Sequence, residues 1–160
     1  MGANSKTQDR LLELTWVLSS MGGHLEELSL FWAKALGVTG PQWLILMALL
    51  ELDREGVGVP VNAVSQRLFV NSNFVTTQSK ILEKKGLLQR RRSDYDARIV
   101  QLSLRDKAYK QMAALSSKHD ALNEFIFEEL TETQLDDLNN ALTSLDDRLY
   151  KAGLKLRVGV

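Results

Sequence analysis

Short polar side chains crowd one stretch of this sequence: Ser72, Asn73, Thr76 and Thr77, with Lys80 three residues beyond. On a helix these residues occupy the first turns. Asn can bond an adenine edge through two hydrogen bonds, and Thr can bond a base or touch a thymine methyl. A helix N-terminus also favours phosphate. Further along, Arg90, Arg91, Arg92 and Arg98 flank a short turn, an arrangement suited to minor-groove insertion or to contact with a nucleic-acid backbone. Each piece has a plainer use. Asn71 to Asn73 could serve only as a helix cap, the threonines could be ordinary surface, and the arginines could guard an exposed strand edge. Their occurrence together in one 35-residue order favours double-stranded DNA as a partner.

Covalent chemistry has little material. The 160-residue chain has no cysteine, which excludes disulfides, thiol nucleophiles, thiol redox sensing and cysteine-ligated metals within it. Its two histidines, His24 and His119, form no metal-ligand pair, and His24 with Glu26 or Glu27 is a weak match. The acidic pairs Asp136-Asp137 and Asp146-Asp147 read as solvated faces of a leucine-bearing helix. No nucleophile–base pairing and no glycine-rich phosphate loop is visible. The expectation is therefore no catalytic residue, no metal and no cofactor.

Charge points the same way as the polar stretch. The whole chain is neutral, but Val61 to Arg105 holds nine basic residues against three acidic ones, a net charge of +6. The rest must carry −6. A basic middle between acidic ends suits a polyanion.

These residues need elements to hold them. Lys6 to Leu36 reads as a long helix with Leu11, Leu14, Leu18, Met21, Leu25, Leu28 and Trp32 at three- and four-residue steps. Gly22-Gly23 interrupts it, predicting a kink or a close approach, since each glycine costs about 1 kcal/mol against alanine in a helix interior. Gly40-Pro41 opens a mostly apolar helix to Leu52. Val59 to Val61 is short, extended or helix-starting. A short helix spans Asn62 to Phe69, and Asn71-Ser72-Asn73 caps the next, to Lys85, with Val75, Ser79 and Leu82 on one face. Gly86 ends it. Leu87 to Arg92 and Arg98 to Leu104 read as two strands around a five-residue tip, Val100, Leu102 and Leu104 alternating to one side. A second long helix is expected from Arg105 to about Leu130. Thr131 to Gln134 forms a capping box opening a last helix with Leu135, Leu138, Leu142, Leu145 and Leu149. The fold class is mainly α with a small β-hairpin wing, a winged helix-turn-helix between long terminal helices.

In P-Q-W-L-I-L from Pro41, V-S-Q-R-L from Val64, V-T-T from Val75, L-E-K-K-G-L-L from Leu82 and R-R-R-S-D-Y-D-A-R from Arg90, the sequence resembles the MarR family, the multiple antibiotic resistance regulators. With the flanking helices, the resemblance extends over nearly the whole chain. It implies a homodimer whose terminal helices intertwine and whose two wings straddle pseudo-palindromic DNA. It also implies a repressor released by a small-molecule effector: an aromatic acid, a phenol or an aromatic acyl-coenzyme A thioester. The wing-tip aspartate and arginine of the family fall on Asp96 and Arg98. Three positions depart from the pattern. Ala97 stands where a second arginine is frequent, Arg105 where a capping threonine is common, and Phe69 where glycine is often found.

The leucine-rich terminal helices argue for a dimer independently, because one domain of this length has limited means to bury them. Folding back on the same subunit is the alternative. The expected division is residues 1–36 and 105–160 for dimerisation and 37–104 for DNA binding. Candidates for an effector pocket are Trp16, Met21, His24, Phe31, Trp43 and Met47, near the glycine pair; ordinary core packing would use the same residue types. Met1 to Arg10 is polar and has no signal-peptide core. The longest uncharged run, Ala35 to Leu50, is broken by Gly37, Gly40 and Pro41 and falls short of the roughly 18–20 apolar residues of a membrane helix. A cytoplasmic protein without membrane contact is expected. The competing functional reading is a winged-helix adaptor that binds proteins and has no DNA role.

Overall fold

The computed structural model describes residues 2–159, with side chains from residue 6 onward. Its elements are α1 (Gly2–Ala35), α2 (Gly40–Leu52), β1 (Val59–Pro60), α3 (Val61–Arg67), α4 (Ser72–Lys84), β2 (Leu88–Arg92), β3 (Val100–Leu104), α5 (Asp106–Ala113), α6 (Ser116–Phe127) and α7 (Glu132–Val158). The chain divides into two compact units, residues 1–114 and 115–160. Among the described residues, no single helix is long and apolar enough to cross a membrane.

The first unit is a winged helix-turn-helix with α1 attached. Its core is built from Ile45, Leu46 and Leu49 of α2, Val64 of α3, Val75 and Leu82 of α4, and Leu87, Leu88 and Leu102 of the hairpin, all buried. Among the described residues of α1, Trp32 and Ala33 at its end enter this core, followed by Leu36 just beyond it. There α1 and α2 meet at 91°. The Thr39 N–H, just before α2, donates to Gln42 Oε1 at 3.2 Å, and Pro41 sits in the first turn, where no amide donor is needed. The strands form an antiparallel sheet in the order β1-β3-β2, with Val59 opposite Leu102 and Arg90 opposite Leu102 on the other side. Val59-Pro60 thus resolves as a strand, its short length hiding any period.

Three expectations are corrected. First, α1 runs unbroken through Gly22-Gly23, and nothing lies within 4 Å of a Cβ built on either. A cost of about 1 kcal/mol per glycine is absorbed by continuous helix on both sides. Second, the long helix after the wing is two helices: α5 stops at Ala113 and α6 begins at Ser116. The break precedes Ser116-Ser117, residues whose hydroxyls compete with helical hydrogen bonds. Third, the short helix does not run to Phe69 but ends at Arg67, and the turn after it closes on Phe69 with φ +53°. Val70 N donates to Ser65 O at 3.0 Å and Phe69 N to Gln66 O at 3.3 Å, the pair of bonds that normally has glycine at its left-handed position.

In the second unit, the Thr131 hydroxyl accepts from Gln134 N at 3.3 Å while Gln134 Oε1 accepts from Thr131 N at 2.9 Å, so the capping box opens α7 as its residues predict. No residue of α6 or α7 is buried within the single chain.

Candidate nucleic-acid interface

Helix α4 is set by local chemistry at both ends. Asn71 Oδ1 accepts from Asn73 N at 2.8 Å, satisfying one of the first-turn donors. At the other end Gly86, with φ +72°, allows Leu87 N to reach Leu82 O at 3.0 Å and turns the chain into β2. Val75, Ser79 and Leu82 face inward and are buried. The opposite face presents Asn73, Thr77, Lys80 and Lys84, all exposed, at steps of four, three and four residues.

The predicted base-reading residues separate by what their polar atoms already bond. Asn73 and Lys80 are exposed. The Thr77 hydroxyl donates to Asn73 O at 2.9 Å. Its hydrogen is thereby used, leaving lone pairs to accept from a base amino group and a methyl to meet thymine. Ser72 is engaged with α3. Ser65 Oγ lies 2.8 Å from both Asn62 O and Ser72 Oγ; since Ser65 has one hydrogen and gives it to the carbonyl, Ser72 is the donor to Ser65. Thr76 is half-buried, and its carbonyl accepts from the Ser79 hydroxyl at 3.1 Å.

The wing arginines also separate. Arg91, Arg92 and Arg98 are exposed. The tip between them is ordered by its own backbone: Ser93 N donates to Ile99 O, Ile99 N to Asp96 O, and Arg98 N to Asp96 Oδ1, each at 2.9 Å. Asp96 therefore shapes the tip that carries Arg98. Arg90 differs. Its side chain is only 12% exposed and turns toward α4. Its Nη1 donates to Ser79 Oγ and, at 3.4 Å, to Thr76 O. Its backbone N donates to Glu83 Oε1 at 2.9 Å. Ser79 and Glu83, which no composition or charge argument singles out, emerge here as the residues joining helix to wing. Their spacing with Thr76, three and then four residues, is the available sequence signal.

The six candidate pocket residues do not share one environment in the single chain. Trp16, Met21, His24 and Phe31 are exposed on α1, Met47 is half-buried, and Trp43 is buried in α2. Phe31 meets Trp32 edge to face at 5.0 Å. Trp16 and Phe31 stand about 22 Å apart along the helix, too far for one planar molecule to touch both.

The end of α4 is tied to its surroundings by two lysines. Lys85 Nζ donates to Gly37 O, between α1 and α2, at 2.6 Å, and Lys107 Nζ of α5 donates to Lys85 O at 2.8 Å.

Comparison with known proteins agrees with this geometry. A family model described as MarR family matches residues 36–99. The HTH-type transcriptional regulator SarZ of Staphylococcus epidermidis is 30% identical over 117 residues, 72% of this chain and 76% of that protein. Among solved structures, the S. aureus MepR–DNA complex superposes with a TM-score of 0.69 at 18% identity, spanning 84% of this chain and 95% of that one. CouR from Rhodococcus jostii bound to p-coumaroyl-CoA gives 0.70 at 18% identity, spanning 82% and 90%. Helix-turn-helix, wing and sequence likeness converge: this chain belongs to the MarR family and is a DNA-binding transcription regulator, not an enzyme.

Proposed function

We propose that the protein is a homodimeric repressor that grips a pseudo-palindromic duplex and lets go when a small aromatic acid, a phenol or an aromatic acyl-coenzyme A thioester binds. The observation that carries the DNA contact is the exposed stripe Asn73, Thr77, Lys80 and Lys84 beside a wing with Arg91, Arg92 and Arg98 exposed. The stripe would lie in the major groove and read base edges. Arg91 and Arg98 would meet the neighbouring backbone or minor groove. Ser72 and Thr76 would contribute through backbone placement and the helix N-terminus. Two recognition helices would need a separation of about 34 Å to meet successive turns of one face.

Support for the dimer is the apolar surface left open on the long helices: Leu11, Leu14, Trp16 and Leu25 on α1, Phe125 and Ile126 on α6, and Leu149 and Leu156 on α7 are all exposed in one chain. So much uncovered apolar surface marks an interaction face. On this reading residues 1–36 and 105–160 would serve dimerisation and residues 37–104 would bind DNA. The effector pocket would be completed by the second subunit, because Trp16, Met21, His24 and Phe31 lack cover within their own chain. Trp43 and Met47 would then form its floor. The fold likeness to CouR bound to p-coumaroyl-CoA supports this class of effector. Lys85 and Lys107 would supply a path, since their hydrogen bonds join the α1–α2 junction and α5 to the end of α4. The ligand would favour a spacing of the two wings that fits the operator poorly. Such a regulator would work in the cytoplasm, where the DNA is.

Random-site selection followed by gel shift tests the reading. The expected result is one preferred palindrome bound by the dimer, with affinity falling steeply as salt rises because basic side chains displace condensed cations. Aromatic acids or thioesters that raise the melting temperature should then release the selected duplex. A dimer without salt-sensitive DNA binding would instead point to a protein-binding adaptor.

A further inference from the structure

One arginine of the wing does not face outward. Arg90 sits in the middle of β2, at the edge of the sheet, where an exposed arginine would be well placed for a phosphate. Its side chain is instead only 12% exposed and directed at α4. The guanidinium donates to the Ser79 hydroxyl and to the Thr76 carbonyl, and its Nε lies 3.9 Å from Glu83 Oε2. Glu83 in turn accepts the outward amide of Arg90 through Oε1 at 2.9 Å, so one amide on the open edge of β2 is met by the recognition helix itself. Three acceptors on successive turns of one helix thus hold one residue of the wing. Ser79, fully buried, cannot reach DNA.

We infer that Arg90 is a positioning residue: with Ser79 and Glu83 it forms a bracket that sets the wing against the recognition helix, so that helix and wing meet the two grooves in one fixed relation. Its positive charge acts inside the protein and not on a phosphate. The planar fork is what the site uses, which distinguishes arginine here from lysine. This inference rests on the DNA reading and adds to it a residue that acts without touching the duplex.

Salt titration separates a bracket from a phosphate contact. Each phosphate contact contributes about 0.9 to the slope of log affinity against log salt, so a dimer that loses two of them loses about two. The probe is a duplex recovered by random-site selection, and the proteins are the wild type, Arg90→Lys, Arg90→Gln, Ser79→Ala and Glu83→Gln. Each variant is first checked for unchanged helix content and dimer mass. The bracket predicts that Arg90→Lys, which keeps the charge, and Ser79→Ala, which keeps the arginine, both weaken binding about ten- to thirty-fold with the slope unchanged, as one lost hydrogen bond per protomer would. The Arg90→Lys, Ser79→Ala double variant should bind no worse than the weaker single, since both break one network. Glu83→Gln gives an opposite sign. Removing a negative charge near DNA should tighten binding, whereas loosening the bracket weakens it, and weakening is expected. Should Ser79→Ala fail to fold, Glu83→Gln carries the same test. The inference is overturned if Arg90→Gln lowers the slope by about two while Ser79→Ala and Arg90→Lys bind like wild type. If the wild type itself shows no salt-dependent affinity for any selected duplex, the DNA reading falls, and the inference with it.

Discussion

Phe69 shows how one side chain can sit against its backbone's preference. Its φ of +53° belongs to the left-handed region, which costs an ordinary L-residue roughly 1–2 kcal/mol. The ring is 61% exposed, so burial offsets little of that. Phe69→Gly should therefore raise the urea midpoint of the folded protein by a free-energy equivalent of about 1 kcal/mol, less the extra freedom glycine gains in the unfolded chain. Phe69→Ala should give no gain, since it keeps the Cβ that causes the strain. A Phe69→Gly variant less stable than wild type would mean that contacts of the ring outweigh the backbone term. The same contrast between side chain and backbone runs through the interface. Thr77 presents its methyl and lone pairs because its hydrogen goes to Asn73 O, and Asp96 serves the wing by shaping its turn.

Among the elements, α1 raises the sharpest question, because Gly22 and Gly23 neither break it nor admit a neighbour in the single chain. If nothing else approaches them, Gly22→Ala and Gly23→Ala should each stabilise the protein by about 0.5–1 kcal/mol in thermal melts, the difference in helix propensity. If the proposed effector or the second subunit packs there, the same changes should leave DNA binding intact and abolish release by aromatic ligands, or prevent dimer formation. Stabilised variants with unaltered release would remove the glycine pair from the pocket. The elements around α4 were legible for a physical reason: Asn71 and Gly86 act through hydrogen bonds that close within a turn, and Leu102 and Leu104 alternate into the core as their spacing requires. The break between α5 and α6 was not, since Tyr109, Met112, Leu115 and Leu122 keep a helical period across it.

At the scale of the whole molecule, the division after Ala114 separates a unit with a buried core from one whose helices bury nothing by themselves. Stability should then depend on association. The melting temperature should rise with protein concentration, as it does whenever only the folded state binds a partner, and native mass spectrometry should find about twice the 18.0 kDa of one chain. A concentration-independent melt at the mass of one chain would count against the dimer. The +6 charge of residues 61–105 within a neutral chain belongs to this scale too, because it directs long-range attraction to DNA toward the wing and recognition helix.

By itself the sequence determined that helices flank and build the winged core, the caps at Asn71, Gly86 and Thr131, the hairpin and the basic middle, since each follows from preferences acting over a few neighbouring residues. Tertiary structure alone decided that Arg90 turns inward while Arg91 and Arg98 stay in solvent, that Val59-Pro60 joins the sheet, and that Trp16 and Trp43 part company. A side chain's exposure depends on which surfaces meet across the fold, and residues distant along the chain choose those surfaces.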